Sequence, residues 1–210
     1  GVENMDIYWL HNTIEAPRWM ERMAKFFEGK ADAPMIGVSN HNLAEIKEAD
    51  KILRAHGRKL GAVQNHYSLM NRSSEESGIL DYCRANDIRF FSYMVLEQGA
   101  LSGQYSTLNP MPNNSERAAI YNPIMDEIEM LNTSLKLLAD KYHMNIAQIP
   151  VAWAINKGTL PIIGVTKKSH VIDAVQAMKI TLTPEEIALI ESTADKLNFN
   201  IIRLWEKEMV

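Results

Sequence analysis

The feature that most constrains this chain is an alternation. Five short runs of apolar, largely β-branched or aromatic residues recur along it: Met5 to His11, Met35 to Asn40, Ala62 to Ser68, Ile88 to Val95 and Leu160 to Thr166. Runs of this kind read as strands buried on both faces. Turn signals precede the later ones, at Ala33-Pro34, Gly57 and Gly61, Asn86-Asp87 and Gly158. Helical patterns lie between them: Trp19 to Phe27, Ser74 to Asn86, Ile124 to Tyr142, and Asn145 to Asn156 despite Pro150. Asn42-Leu43-Ala44-Glu45 opens another helix with the spacing of a capping box. Thr183-Pro184-Glu185-Glu186 opens the last, with proline at the first helical position and acids in the first turn. Strands and helices alternating at roughly 30 residues per unit predict repeated βα units on a parallel sheet. The class is α/β, and nothing marks a domain boundary within residues 1–210.

Composition narrows the function classes. A net charge of −4 with scattered lysines, Lys167-Lys168 being the only lysine pair, lacks the basic stripe of a nucleic-acid surface. No apolar run approaches the ~20 residues of a membrane span. The single cysteine, Cys83, rules out an internal disulfide and fits a reducing, cytoplasmic setting. It lies in a helical pattern, which predicts burial. No His, Cys and Asp cluster has metal-ligand spacing, so no metal is expected.

Two parallel architectures compete. A doubly wound dinucleotide fold requires Gly-x-Gly-x-x-Gly after an early strand, and this chain has none. A (β/α)8 barrel instead gathers its chemistry at the C-terminal ends of the strands. There the five predicted strands carry hydrogen-bonding residues: His11, Ser39-Asn40, Gln64-Asn65-His66, Tyr93 and Thr166-Lys167. Polar groups at five successive strand ends favour the barrel. Pro161 to Ala174 adds a strand, a turn at Gly164, two lysines and a helix start, an arrangement that attracts an anion such as a phosphate. The irregular stretch from Gln98 to Ser115 is long enough to be functional.

Six motifs then fall in a familiar order and spacing: Tyr8-Trp9-Leu10-His11, Gly37-Val38-Ser39-Asn40, Val63-Gln64-Asn65, Phe91-Ser92-Tyr93, Gly99-Ala100-Leu101-Ser102-Gly103 and Ile163-Gly164. In these the chain resembles the aldo-keto reductases along essentially its whole length. The resemblance implies NAD(P)H-dependent reduction of a small-molecule carbonyl, an aldehyde or a ketone. His11 is similar to the histidine that orients the substrate carbonyl. Ser39, Asn40 and Gln64 resemble the residues that hold the nicotinamide carboxamide, and Tyr93 the ring stacked on the nicotinamide. Leu96, Ser102, Gly103 and Gln104 match a loop over the pyrophosphate. Gly164, Thr166, Lys167, His170 and Asp173 match the adenosine and 2′-phosphate end. Gln104 stands where many relatives carry Lys, and Ala174 where an Asn often meets the adenine. Lys167-Lys168 compensates in charge and favours NADP(H), with NAD(H) the alternative; Arg117 is a further phosphate partner.

The resemblance also implies what is missing. The family barrel has eight strands, and this chain supplies the last five together with the C-terminal helices. The strands without a counterpart carry the family's catalytic Asp, its proton-donating Tyr and its Lys. The chain start, Gly1-Val2-Glu3-Asn4, runs straight into a strand and reads as a truncation. Two edges would stay unpaired, so strands from residues outside the chain, or from another chain, are expected to complete the barrel. The 210 residues alone are expected to be inactive in carbonyl reduction. The rival reading is a non-catalytic nucleotide-binding member acting through a protein partner; an unrelated (β/α)8 aldolase or isomerase would want a strand lysine or acidic pairs at strand ends. Substrate choice is expected from loops, including the tail from Asn198 to Val210 with Arg203, Leu204 and Trp205.

Overall fold

The computed structural model describes residues 4–197, 199, 202, 203 and 206–209. Leu204 and Trp205, expected to line a substrate site, lie outside them. The strands follow one another in the sheet in chain order, β1-β2-β3-β4-β5. The chain groups into two compact units, residues 1–66, 73–91 and 202–210 in the first and residues 67–72 and 92–201 in the second.

Unit 1 is built of βα repeats. Strand β1 spans Ile7–Leu10, helix α1 Ala16–Phe27, β2 Met35–Ser39, α2 Leu43–Ala55 and β3 Leu60–His66. β1 and β2 pair in parallel with Leu10 opposite Val38, and β2 and β3 pair in parallel with Ser39 opposite Gln64. β2 and β3 are enclosed almost throughout, as the continuous apolar runs predict. Gly37 is glycine for lack of space: a Cβ there would sit 2.5 Å from the Trp9 ring and 3.2 Å from Ala62. α1 buries Ala16, Met20, Ala24 and Phe27, one stripe at helical spacing, and α2 buries Ile46, Ala49 and Leu53. The predicted capping box is present: Asn42 accepts from the Glu45 N–H at 3.0 Å while Glu45 accepts from the Asn42 N–H at 2.9 Å.

The single helix expected over Ser74 to Asn86 is broken. Gly78, at φ +78, separates α3 (Ser73–Glu76) from α4 (Ile79–Ala85). Strand β4 follows over Arg89–Tyr93, its last residues belonging to unit 2. The tail returns to unit 1, where Arg203 and Glu206 are buried against His66. The His66 Nδ1 lies 2.9 Å from Glu206 Oε1 and 3.2 Å from Arg203 Nη1.

Unit 2 carries α5 (Glu116–Tyr121), α6 (Met125–Tyr142), α7 (Gln148–Asn156), β5 (Leu160–Pro161), α8 (Lys168–Ala177) and α9 (Pro184–Ala194). Its core includes Leu101, Tyr121, Ile128, Leu131, Leu135, Ile149 and Trp153. Tyr67 stacks on Trp153 with ring centroids 4.9 Å apart. α7 is buried from Gln148 through Ala154, and Pro150 is harmless because the first turn has no intrahelical partner for its N–H. β5 is far shorter than the run Leu160 to Thr166 suggested. It continues only through an N–H of Ile162 donating to the Ser92 carbonyl at 2.8 Å, and residues 162–166 leave the ladder before α8 begins. The stretch expected to be irregular from Gln98 begins inside Glu97–Ser102, where 3₁₀ turns are broken by non-helical backbone at Gln98, Gly99 and Leu101.

Candidate active site

Three of the expected residues meet in unit 1 at the C-terminal ends of β2 and β3. Ser39 is fully buried, Asn40 nearly so, and Gln64 half-buried beside them. The Asn40 amide donates to Ser39 Oγ at 3.3 Å, and its backbone N–H donates to the Gln64 carbonyl at 3.0 Å. Asn40 sits at φ +61, a left-handed conformation asparagine tolerates better than most residues. His11 follows Leu10, the partner of Val38, and is exposed. The group therefore offers amide and hydroxyl donors and acceptors side by side, the set a planar carboxamide takes.

Next to it, His41 is fully buried. Its Nδ1 lies 2.8 Å from the Ser39 carbonyl, while Nε2 has no hydrogen-bond partner. Burial holds its pKa below the ordinary value, against the opposing pull of Ser39 and Glu45. Burial raises the Glu206 carboxyl, but His66 and Arg203 beside it outweigh that and leave it below the ordinary range.

Unit 2 holds a cavity of about 470 Å³, within the range of about 300–1,000 Å³ usual for small-molecule and cofactor sites. Apart from Arg117 of α5, its walls come from three segments. One is the segment Met94 to Gln104, the second is α7 with Ala147, Gln148 and Val151, and the third runs from Ile162 through Gly164 into α8. Met94, Leu96, Val151 and Ile162 make it largely apolar. Its polar groups are few and directed. Arg117 donates through Nη1 to the Gln98 carbonyl at 2.9 Å, which holds a guanidinium at the rim. Gln98 Oε1 is buried without a hydrogen-bond partner, an acceptor that a donor in the cavity would satisfy. α8 begins after Lys167, which extends as its cap without a side-chain hydrogen bond, and has no acidic residue in its first turn. The positive end of its dipole therefore has no carboxylate in the first turn, while Asp173 one turn further on lines the cavity.

Leu96, Ser102, Gln104, Gly164, His170 and Asp173 all line this cavity, though they span a long stretch of sequence. Gly103, Thr166, Lys167 and Tyr93 are not among its lining residues. Gly103 instead packs on Ile146, and Thr166 offers its N–H to the His170 ring nitrogen at 3.4 Å. Gln98 and Gln148 are not among the residues the sequence marks as candidates. Gln148 is buried and donates through Nε2 to the Asp173 carbonyl at 2.8 Å, so it braces α8 against α7. Its signal was present: one amide in the otherwise apolar Gln148-Ile-Pro-Val-Ala-Trp. Gln98 gives no such signal, because a glutamine in a loop is ordinarily solvated.

The sequence model of the Aldo/keto reductase family matches residues 1–195. The chain belongs to that family. Among its relatives is the chloroplastic pyridoxal reductase of Arabidopsis thaliana, 31% identical over 76% of the chain and 43% of the relative. Another is the L-glyceraldehyde 3-phosphate reductase of Escherichia coli, 26% identical over 91% of the chain and 58% of the relative. The chain thus spans about half the length of the curated relatives it matches. The glycerol dehydrogenase of Gluconobacter oxydans superposes with a TM-score of 0.80 at 20% identity, over 97% of this chain and 62% of that one. A thermostable aldo-keto reductase in complex with epalrestat superposes at 0.70 and 21% identity, over 91% and 61%. These likenesses establish the fold. The five parallel strands with their helices are of the (β/α)8-barrel type, of which the chain covers about three-fifths. Among the described residues, no helix is long and apolar enough to cross a membrane.

Proposed function

We propose that this chain binds NADP(H), with NAD(H) as the weaker alternative, in an oxidoreductase that reduces an aldehyde or ketone to an alcohol. The observation that carries the reading is the unit 2 cavity. Arg117, His170 from the first turn of α8 and the orphaned Gln98 Oε1 line one largely apolar space. An anionic, donor-bearing and partly aromatic ligand suits that set, and a dinucleotide is all three. Lys167 and Lys168, both exposed at the start of α8, add the charge that a 2′-phosphate would meet. The relatives named for pyridoxal and for L-glyceraldehyde 3-phosphate support an aldehyde as the substrate class.

When bound, the cofactor supplies a hydride to the carbonyl carbon. In unit 1, Ser39, Asn40 and Gln64 have the hydrogen-bonding set to hold and orient a carboxamide, and His11 is placed at the end of β1 to direct a carbonyl oxygen. In unit 2, Leu96 and Val151 would shield a bound cofactor from water, and Arg117 would balance the charge of its phosphates. By the family resemblance, the proton-donating Tyr and its Asp and Lys lie in strands outside this chain. Among the described residues β1 pairs with β2 alone and β5 with β4 alone, which leaves two edges that further strands would suit. The chain alone is therefore expected to bind nucleotide without turning over substrate.

Titration with NADPH and NADH, followed by nicotinamide fluorescence, tests the reading. Saturable binding with NADPH preferred is expected, and Lys167→Ala/Lys168→Ala should erase most of that preference. Failure of both nucleotides to bind defeats the reading. NADPH oxidation above background with a reactive aldehyde and the chain alone defeats the assignment of the chemistry to outside strands. A second reading, a nucleotide-binding member acting through a partner, differs in predicting no turnover even when the missing strands are supplied.

A further inference from the structure

The cavity wall from Met94 to Gly99 is held in an unusual backbone conformation. Met94, Glu97 and Gln98 lie at φ +62, +46 and +53, and Gly99 at +100. L-residues with side chains avoid this left-handed region, and they persist there only where the surroundings fix them. The consecutive pair Glu97 and Gln98 sends its side chains to different places. Gln98 lines the cavity with its unpartnered Oε1. Glu97 does not line it and is fully buried. One Glu97 carboxylate oxygen accepts from Ser68 Oγ at 2.5 Å, and the other accepts from the Tyr121 hydroxyl at 2.7 Å.

Each donor is itself fixed. Ser68 closes a tight turn with Asn71, and its Oγ accepts the N–H groups of Met70 and Asn71 at 3.1 Å each. With those two bonds accepted, its own proton has to go outward to a carboxylate. Tyr121 ends α5, is fully buried and stacks on Phe199 at 6.0 Å. A single carboxylate thus ties the cavity wall to a turn and to a helix, all inside unit 2. Hydrogen bonds to an ionised acceptor are about twice as strong as neutral ones, which suits the group to hold strained backbone.

We infer that Glu97 is a positioning residue for nucleotide binding. It touches no ligand, but it fixes the 94–99 wall so that Gln98 Oε1 and the Arg117-bound carbonyl stand ready in the cavity. The inference rests on the proposed nucleotide-binding function. Glu97→Gln keeps the shape and removes the charge. Because Ser68 has to donate, the amide oxygen turns to Ser68 and the amide NH₂ meets the Tyr121 hydroxyl, which then has to accept.

The experiment compares wild type, Glu97→Gln and Tyr121→Phe in three readouts: Kd for NADPH, melting temperature, and amide hydrogen exchange of residues 94–102 without ligand. The expected result is a Kd raised about tenfold in each variant. Exchange across 94–102 should speed up while that of α6 stays put, and the double variant should lose less than the product of the two singles. A merely structural role would lower the melting temperature while leaving Kd unchanged well below it, and that outcome overturns the inference. So does an unaltered exchange rate across the wall. Should Glu97→Gln fail to fold, Tyr121→Phe decides alone by the same criteria. A wild type that binds NADPH beside variants that bind it equally sinks only this inference; a wild type that binds neither nucleotide sinks the function and the inference together.

Discussion

Gly103→Ala is the perturbation whose cost can be worked most directly from the structure. Gly103 ends the 3₁₀ turn at φ +73, so an alanine there pays the left-handed cost of about 1–2 kcal/mol. A Cβ would also meet Ile146, lying 2.4 Å from Cδ1, 3.3 Å from Cβ and 3.4 Å from Cγ1. Rotating Cδ1 away relieves the closest contact but leaves Cβ, which the backbone fixes. Overpacking of this kind adds about 1–3 kcal/mol. Gly158→Ala is the matched control. Its φ is +82, and nothing lies within 4 Å of the new Cβ, so only the backbone cost applies. With roughly 2–4 °C of melting temperature per kcal/mol at this chain length, Gly103→Ala should fall by on the order of 10 °C and Gly158→Ala by about half that or less. Thermal unfolding followed by far-ultraviolet circular dichroism reads both, and Ile146→Ala in the Gly103→Ala background should restore part of the difference. Equal losses at the two glycines would refute the reasoning, since the steric part would then be absent.

Two further predictions concern buried titratable groups. His41 is held neutral by burial, so the unfolded chain takes up a proton first as pH falls below its ordinary 6.5. Stability should therefore drop from about pH 6.5 downward until the depressed native pKa is passed, by about 1.4 kcal/mol per unit of depression. Urea midpoints measured between pH 7.5 and 5 should show that slope, and His41→Phe should flatten it. Burial pushes the Cys83 thiol up to about 12, so the native protein at pH 8 holds almost no thiolate there. A thiol reagent such as DTNB should label it slowly until urea opens unit 1; labelling at the rate of a free thiol in the native protein would contradict the buried placement.

Much of the fold is legible in local sequence. The Asn42 and Thr183 capping boxes form as their spacing predicts, because a cap is decided within four residues. The buried stripes of α1 and α6 follow their periodicity. The split between α3 and α4 does not show in the helical pattern of Ser74 to Asn86, because it is set by the backbone of Gly78, whose φ of +78 ends one helix before the next begins. The shortness of β5 has another cause. Ile162 to Thr166 has strand composition, but a ladder needs a partner on each residue, and composition says nothing of partners.

By itself, then, the sequence determines the alternation of strands and helices, the caps, the enclosed β2 and β3, and the polar residues at strand ends that favour a barrel. Those features rest on periodicity and on contacts a few residues apart. The tertiary structure alone decides what Glu97, Gln98 and Gly103 do. In sequence they form an ordinary polar, glycine-bearing turn. Folded, Glu97 meets donors from Ser68 and Tyr121, Gln98 turns its carbonyl to Arg117, and Gly103 yields its space to Ile146. Burial and distant partners set the energy of a charge or of an empty Cβ position, and neither is a property of the residue's neighbours in the chain.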